Sequence, residues 1–191
     1  MPRYLPWLSL GAIFFTYVNI GAYWTYIELA SVTGGIDPDW VGRLLVIVSL
    51  GSFVGCLVAV LISNRWGLAR PLLATLALMA VIVGILGVDM NYTNLFVSLC
   101  LFNLLWVFID VYQIGTVAVI DRRGAFAALM PGAQGLGQIV GPNAAASLLE
   151  AGSGYDAVFF MCAAAALVGL FIYAVMYLWL RRRIPLLADV S

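Results

Sequence analysis

The chain has 191 residues, 64% of them hydrophobic and 9% charged, with nine arginines, no lysine, no histidine and a net charge of zero. Soluble domains are about 45–50% apolar and about 25% charged, so a mean hydropathy of +1.07 makes lipid the solvent for most of this chain and excludes a soluble enzyme. Without histidine there is no Ser-His-Asp hydrolysis and no histidine-ligated zinc, and a neutral chain lacks the basic surface that nucleic acid requires.

Crossing about 30 Å of hydrocarbon takes roughly 20 apolar residues. Six segments meet that length, at about 7–32, 43–63, 71–88, 93–119, 127–150 and 157–180. The first begins near Met1 and runs past 20 residues without an A-x-A-like cleavage site, which predicts a retained helix rather than a signal peptide. Gly34-Gly35-Ile36-Asp37-Pro38-Asp39 closes it, Asn64-Arg65-Trp66-Gly67 closes the second, and Asp89-Met90-Asn91-Tyr92 the third. Asp121-Arg122-Arg123-Gly124 ends the fourth, Gly152-Ser153-Gly154-Tyr155-Asp156 the fifth, and Arg181-Arg182-Arg183 the sixth. No linker is long enough to part a second domain, so residues 1–191 read as one six-helix, all-α membrane unit. Cys56, Cys100 and Cys162 each sit within an apolar run and read as small buried hydrophobes.

Arginine placement sets the direction. With Met1 in the cytoplasm, Arg3, Arg65, Arg70, Arg122, Arg123, Arg181, Arg182 and Arg183 are cytoplasmic and only Arg43 lies outside. The positive-inside rule therefore predicts cytoplasmic termini; a cell (inner) membrane is the expected location. Leu50-Gly51-Ser52-Phe53-Val54-Gly55 is echoed by Leu136-Gly137-Gln138-Ile139-Val140-Gly141 at the offset that also relates Tyr26 to Tyr112. Spans 1–3 and 4–6 start on opposite sides, so a repeat at this offset would be inverted, as in transporters; chance recurrence of small-residue packing pairs is the competing explanation.

Polar groups within the hydrocarbon are costly and face a bundle interior or a wet cavity. Thr16, Asn19, Tyr23 and Tyr26 recur on one face of span 1, and Asn103, Trp106, Asp110 and Gln113 keep the same spacing in span 4. Gln134, Gln138 and Asn143 follow in span 5, so spans 1, 4 and 5 are expected to line a cavity. Asn19, Asn103 and Gln138 fall near mid-span, with Asp110, Gln113 and Gln134 displaced toward the cytoplasm. Asp110 has no basic partner in its span. Desolvation penalises its charged form, which makes it a proton-coupling candidate or a cationic ligand's counter-charge. Glu28, near the outer end of span 1, is the second coupling candidate and reads equally as an interfacial carboxylate. Tyr23 and Trp106 are read as pocket aromatics, and Trp24 and Tyr26 as members of the interfacial belt.

These features together resemble one half of a major facilitator superfamily transporter, the C-terminal half in particular, over nearly the whole chain. Asn64-Arg65-Trp66-Gly67-Leu68-Ala69-Arg70-Pro71 is similar to a degenerate copy of the family's D-R-x-G-R-R loop, and Asp121-Arg122-Arg123-Gly124 to the charged turn between helices ten and eleven. Asn64 stands where the loop's acid belongs, and Leu68 and Ala69 replace arginines. Gly137-x-x-x-Gly141-Pro142 resembles the G-x-x-x-G-P element of helix eleven, with glycines for close contact and a proline that permits a bend.

The resemblance implies a secondary transporter half that moves a small organic solute by alternating access, by uptake or efflux, coupled to protons through Asp110 or Glu28. Asn19, Tyr23, Asn103, Trp106, Gln113, Gln134 and Gln138 would face the solute, and Arg65, Gly67, Asp121 and Arg122 would serve the cytoplasmic gate. Gly137, Gly141 and Pro142 would bend the helix. It also implies a second six-helix half as partner, either an N-terminal half or another copy, and no cofactor. A full member has about twice this length, and one wall alone would show its polar face to lipid. The alternatives are a non-transporting assembly subunit, a truncated relic or a channel-like protein. Aquaporin N-P-A pairs, voltage-sensor arginines, G-x-S-x-G, paired aspartates and metal clusters do not occur in the sequence.

Overall fold

The computed structural model describes residues 4–66, 68–121 and 124–183, without the side chains at 50–53, 55–56, 59–66 and 183. Six helices follow in chain order: α1 (Leu5–Thr33), α2 (Pro38–Trp66), α3 (Ala69–Val88), α4 (Tyr92–Ile120), α5 (Ala125–Glu150) and α6 (Tyr155–Arg183), with no strand among the described residues. Each expected span falls inside one of them. Four are long and apolar enough to cross a membrane: α1, α3, α4 and α6. The described part of α2 does not reach that measure, nor does α5, which is diluted by glycine and carries Pro131 and Pro142. The chain is an all-helical integral membrane protein.

Local sequence explains the ends. Gly35 and Gly152 adopt φ of 86° and 85°, the left-handed region that glycine enters without steric cost. Each closes its helix the same way: Gly35 N–H reaches the Val32 carbonyl and Ile36 N–H the Ser31 carbonyl, while Gly152 and Ser153 do so to Leu149 and Leu148. Asn91 caps α4 by accepting the Asn94 amide at 2.8 Å. At α5 the distant Asp121 does this work, its Oδ2 accepting the amides of Phe126 and Ala127 at 2.7 and 2.8 Å.

Sequential helices run in opposite directions. Tyr4 packs edge-on against Trp179, so α1 starts where α6 ends, while the Asp37 amide donates to the Tyr92 hydroxyl at the other end. α1 is the most surrounded helix, packed broadly against α5 and α6 and more narrowly against α4 and α2; α4 in turn packs against α2 and α3, and α3 against α6. The α1–α5 seam is built from backbone. A Cβ on Gly137 would lie 2.5 Å from the Phe14 carbonyl oxygen and 2.7 Å from Tyr17 Cβ, one on Gly21 would lie 2.8 Å from Gln138 Cα, and Gly141 is pressed equally hard onto Val18. Only glycine permits that approach.

Candidate functional site

The glycine seam brings α5 against α1, and α2 and α4 close the other side. Between them lies an open cavity of about 490 Å³. Its lining comes from Gly21, Trp24 and Thr25 of α1, Ser49 of α2, Asn103 and Trp106 of α4, and Gln138 of α5, with Ile20 behind. Trp24 and Trp106 stand 6.1 Å apart at 53° and form an aromatic wall. The hydroxyls of Thr25 and Ser49 donate back to their own helices, each at 2.8 Å. Asn103 donates to the Val48 carbonyl and so ties α4 to α2. The Trp24 indole nitrogen is buried and makes no hydrogen bond, so the indole meets the cavity with ring carbon.

Asp110 lies just beyond this wall, toward the end of the bundle that bears Arg181 and Arg182. Its Oδ1 accepts two hydrogen bonds from two other helices, from the Tyr17 hydroxyl at 2.8 Å and from Gln134 Nε2 at 2.9 Å. The Trp106 indole also lies within reach of the Tyr17 hydroxyl. Cavity wall, tyrosine and carboxylate are thus contiguous, and one carboxylate oxygen clasps α1, α4 and α5. Gln113, fully buried one turn further on, donates to Thr16 Oγ1 at 3.0 Å, and Thr16 donates to the Ala12 carbonyl at 2.9 Å.

The predicted site residues thus divide. Asn103, Trp106 and Gln138 line the cavity; Asp110 and Gln134 meet beside it; Gln113 joins a buried polar cluster instead of the lining. Asn19 and Tyr23, expected at the solute, do not reach this cavity. Asn19 turns its amide to Met79 Sδ at 3.0 Å in α3. Tyr23 is completely buried, stacked on Phe102 at 3.7 Å and 7°, with its hydroxyl 3.0 Å from Ser98 Oγ. The roles read for the neighbours Tyr23 and Trp24 are therefore exchanged: Trp24 faces the cavity and Tyr23 packs the core.

Glu28 is exposed near the far end of α1, away from the cavity lining. Asp121 caps α5, while Gly67 and Arg122 and the side chain of Arg65 lie outside the described residues. Gly137 and Gly141 serve as packing surface. α5 continues as a helix through Pro142, whose carbonyl accepts a hydrogen bond from Tyr26 at 3.3 Å.

Tyr17, Gly21, Thr25 and Ser49 are members of the site that the sequence did not single out. A signal for the first two was present, because 17, 21 and 24 share a helical face spaced i, i+4, i+7. The more polar face at 16, 19, 23 and 26 is the one that the structure turns mostly inward.

The family described as "Uncharacterised MFS-type transporter YbfB" matches residues 4–174 of the chain. No curated protein matches it.

Proposed function

We propose, since the chain belongs to the major facilitator superfamily of transporters, that it forms one six-helix half of a secondary active transporter that moves a small organic solute by alternating access, driven by protons. All six helices cross the membrane in this reading. Both termini are cytoplasmic, in an inner membrane, because eight of the nine arginines then lie inside. α2 and α5, the helices of weaker hydropathy, cross beside the polar cavity, where a second six-helix half covers them. That half is another part of a longer polypeptide or another copy, and the two halves rock about the shared cavity.

The helix contacts support an inverted repeat of α1–α3 and α4–α6. Exchanging α1 with α4, α2 with α5 and α3 with α6 turns the α1–α5 contact into α4–α2, α1–α6 into α4–α3, and α1–α2 into α4–α5, all of which occur; the slight α5–α6 contact has no α2–α3 counterpart of similar extent.

The observation that carries the proposal is Asp110 with donors from α1 and α5, next to an aromatic and amide-lined cavity. An ionised Asp110 is the better acceptor and holds the three helices together; a protonated one holds them less strongly. Protonation and helix position are linked through that difference. Solute stacks on Trp24 and Trp106 and bonds Asn103 and Gln138. The chain moves solutes and is not an enzyme.

Asp110→Asn tests this directly, because asparagine keeps an acceptor for Tyr17 and Gln134 but cannot titrate. In vesicles holding the transporter, the variant should lose uptake or efflux driven by a pH gradient while keeping solute exchange at equal pH. Unchanged gradient-driven transport would remove Asp110 from the mechanism.

A further inference from the structure

Thr25 and Ser49 border the cavity with their hydroxyl protons already committed, to the Gly21 and Leu45 carbonyls of their own helices. A hydroxyl has one proton and two lone pairs, so each offers the cavity an acceptor oxygen and no donor. Trp24 and Trp106 add two indoles, and the face of an indole is the negative part of its quadrupole. The Asn103 amide nitrogen donates to the Val48 carbonyl. The wall that this chain supplies is thus rich in electron pairs and poor in donors.

Formal charge points the same way. None of the described lining residues is charged, and α1, α4 and α5 contain no basic residue at all. On α2, Arg43 lies more than a turn from Ser49 and donates to the Asp39 carbonyl at 3.2 Å. Asp110 follows Trp106 by one turn of α4, a spacing that sets β-carbons about 5–6 Å apart. Its partners, the Tyr17 hydroxyl and the Gln134 amide, are neutral and leave the charge of an ionised carboxylate uncancelled. An anion in this cavity meets lone pairs, ring faces and a carboxylate. A cation meets the same groups as partners, and the low dielectric of the bundle sharpens that contrast.

We propose that this wall selects solutes that carry a protonated amine and turns anions away. The inference rests on the solute-cavity reading given above and names its substrate class. The ammonium group seats on the indole faces and donates to hydroxyl oxygen, and Asp110 supplies the counter-charge. A primary ammonium brings three donors and no acceptor, the complement of this lining. The cavity of about 490 Å³ lies within the range of about 300–1,000 Å³ usual for small-molecule pockets, so an amine with an apolar body of a ring or two fits.

Three phenyl compounds of nearly equal size separate charge from shape: phenethylamine, a cation at neutral pH, phenethyl alcohol and phenylacetate. Isothermal titration calorimetry measures their binding to the full chain in nanodiscs of zwitterionic phosphatidylcholine, and empty nanodiscs correct for partition into lipid. The amine should bind about tenfold more tightly than the alcohol, and phenylacetate more weakly than either. Asp110→Asn should cut the amine-to-alcohol affinity ratio about tenfold, the worth of a unit charge at roughly 10 Å and an effective dielectric of about 20. Thr25→Val together with Ser49→Ala should cut that ratio about fivefold, because a hydrogen bond from a charged donor is worth more than one from a neutral donor. Lost packing alone would weaken both ligands and leave the ratio unmoved, and the hydroxyl variants keep the test open if Asp110→Asn fails to fold. If the alcohol or phenylacetate binds as tightly as the amine, or no folded variant moves the ratio, the amine inference is overturned and the solute cavity stands. If none of the three binds, the solute-cavity reading falls and the inference falls with it.

Discussion

Gly137→Ala puts one methyl group into the α1–α5 seam. Its Cβ would stand 2.5 Å from the Phe14 carbonyl oxygen and 2.7 Å from Tyr17 Cβ, where ordinary contact begins at 3.4 Å. Both obstacles are backbone or backbone-proximal, so no side chain can swing aside and α5 must retreat by roughly 1 Å. The Gln134–Asp110 hydrogen bond, now 2.9 Å, then stretches to about 3.9 Å, beyond bonding range. Overpacking costs about 1–3 kcal/mol and the lost bond about 0.5–1.5 kcal/mol, against about 1 kcal/mol returned by alanine's helix propensity. The net loss should be about 0.5–3.5 kcal/mol. Gly135→Ala on the same helix is the control. A Cβ there meets nothing within 4 Å, so it should be neutral or slightly stabilising. Equilibrium unfolding in mixed micelles, followed by helical circular dichroism, measures both. If the two variants prove equally stable, the seam is not the tight backbone contact described.

Four further outcomes follow from the geometry. Phe102→Ala removes the ring stacked on Tyr23 and should cost about 3–5 kcal/mol in the same unfolding assay. Asp121→Ala strips the cap from α5 and should cost about 0.5–2 kcal/mol, with Asp121→Asn recovering most of it. Asn103→Leu removes the side-chain hydrogen bond that the Val48 carbonyl accepts beside its own helical one and loosens the α2–α4 contact; a loss of about 0.5–1.5 kcal/mol is expected, with faster amide exchange around Val48. Trp24→Leu removes one of the two indole rings that wall the cavity, so solute affinity should fall about two- to tenfold, the worth of one aromatic contact of about 0.5–1.5 kcal/mol, with helix content unchanged.

The helices were legible because lipid imposes a strict length on apolar runs, and each expected span lies inside an observed helix. Turn glycines and prolines marked the ends for physical reasons that the structure repeats at Gly35 and Gly152. The site was half legible. Asp110, Asn103, Trp106, Gln134 and Gln138 stand out because polar groups in apolar helices are expensive. Tyr23 and Trp24 are hard to tell apart in sequence because they are adjacent, and a one-residue step turns a helix face by about 100°. Only the neighbours decide which side is cavity, and the deciding neighbours are Phe102 and Gln138, far along the chain. Tyr17 shares the cavity face with positions 21 and 24, but its partner is not legible locally. Its role depends on Asp110, 93 residues away, and no local pattern announces that distance.

The Tyr23–Phe102 stack sets a fulcrum. Two flat rings 3.7 Å apart, one from α1 and one from α4, resist separation and leave tilting as the easier relative motion. Tyr17 lies six residues along α1 from that pivot, about 9 Å at 1.5 Å per residue. A tilt of only about 6° about the stack therefore displaces the Tyr17 end by roughly 1 Å over that 9 Å arm, enough to make or break its grip on Asp110. A rotation of that size would be enough to break the 2.8 Å hydrogen bond from Tyr17 to the carboxylate.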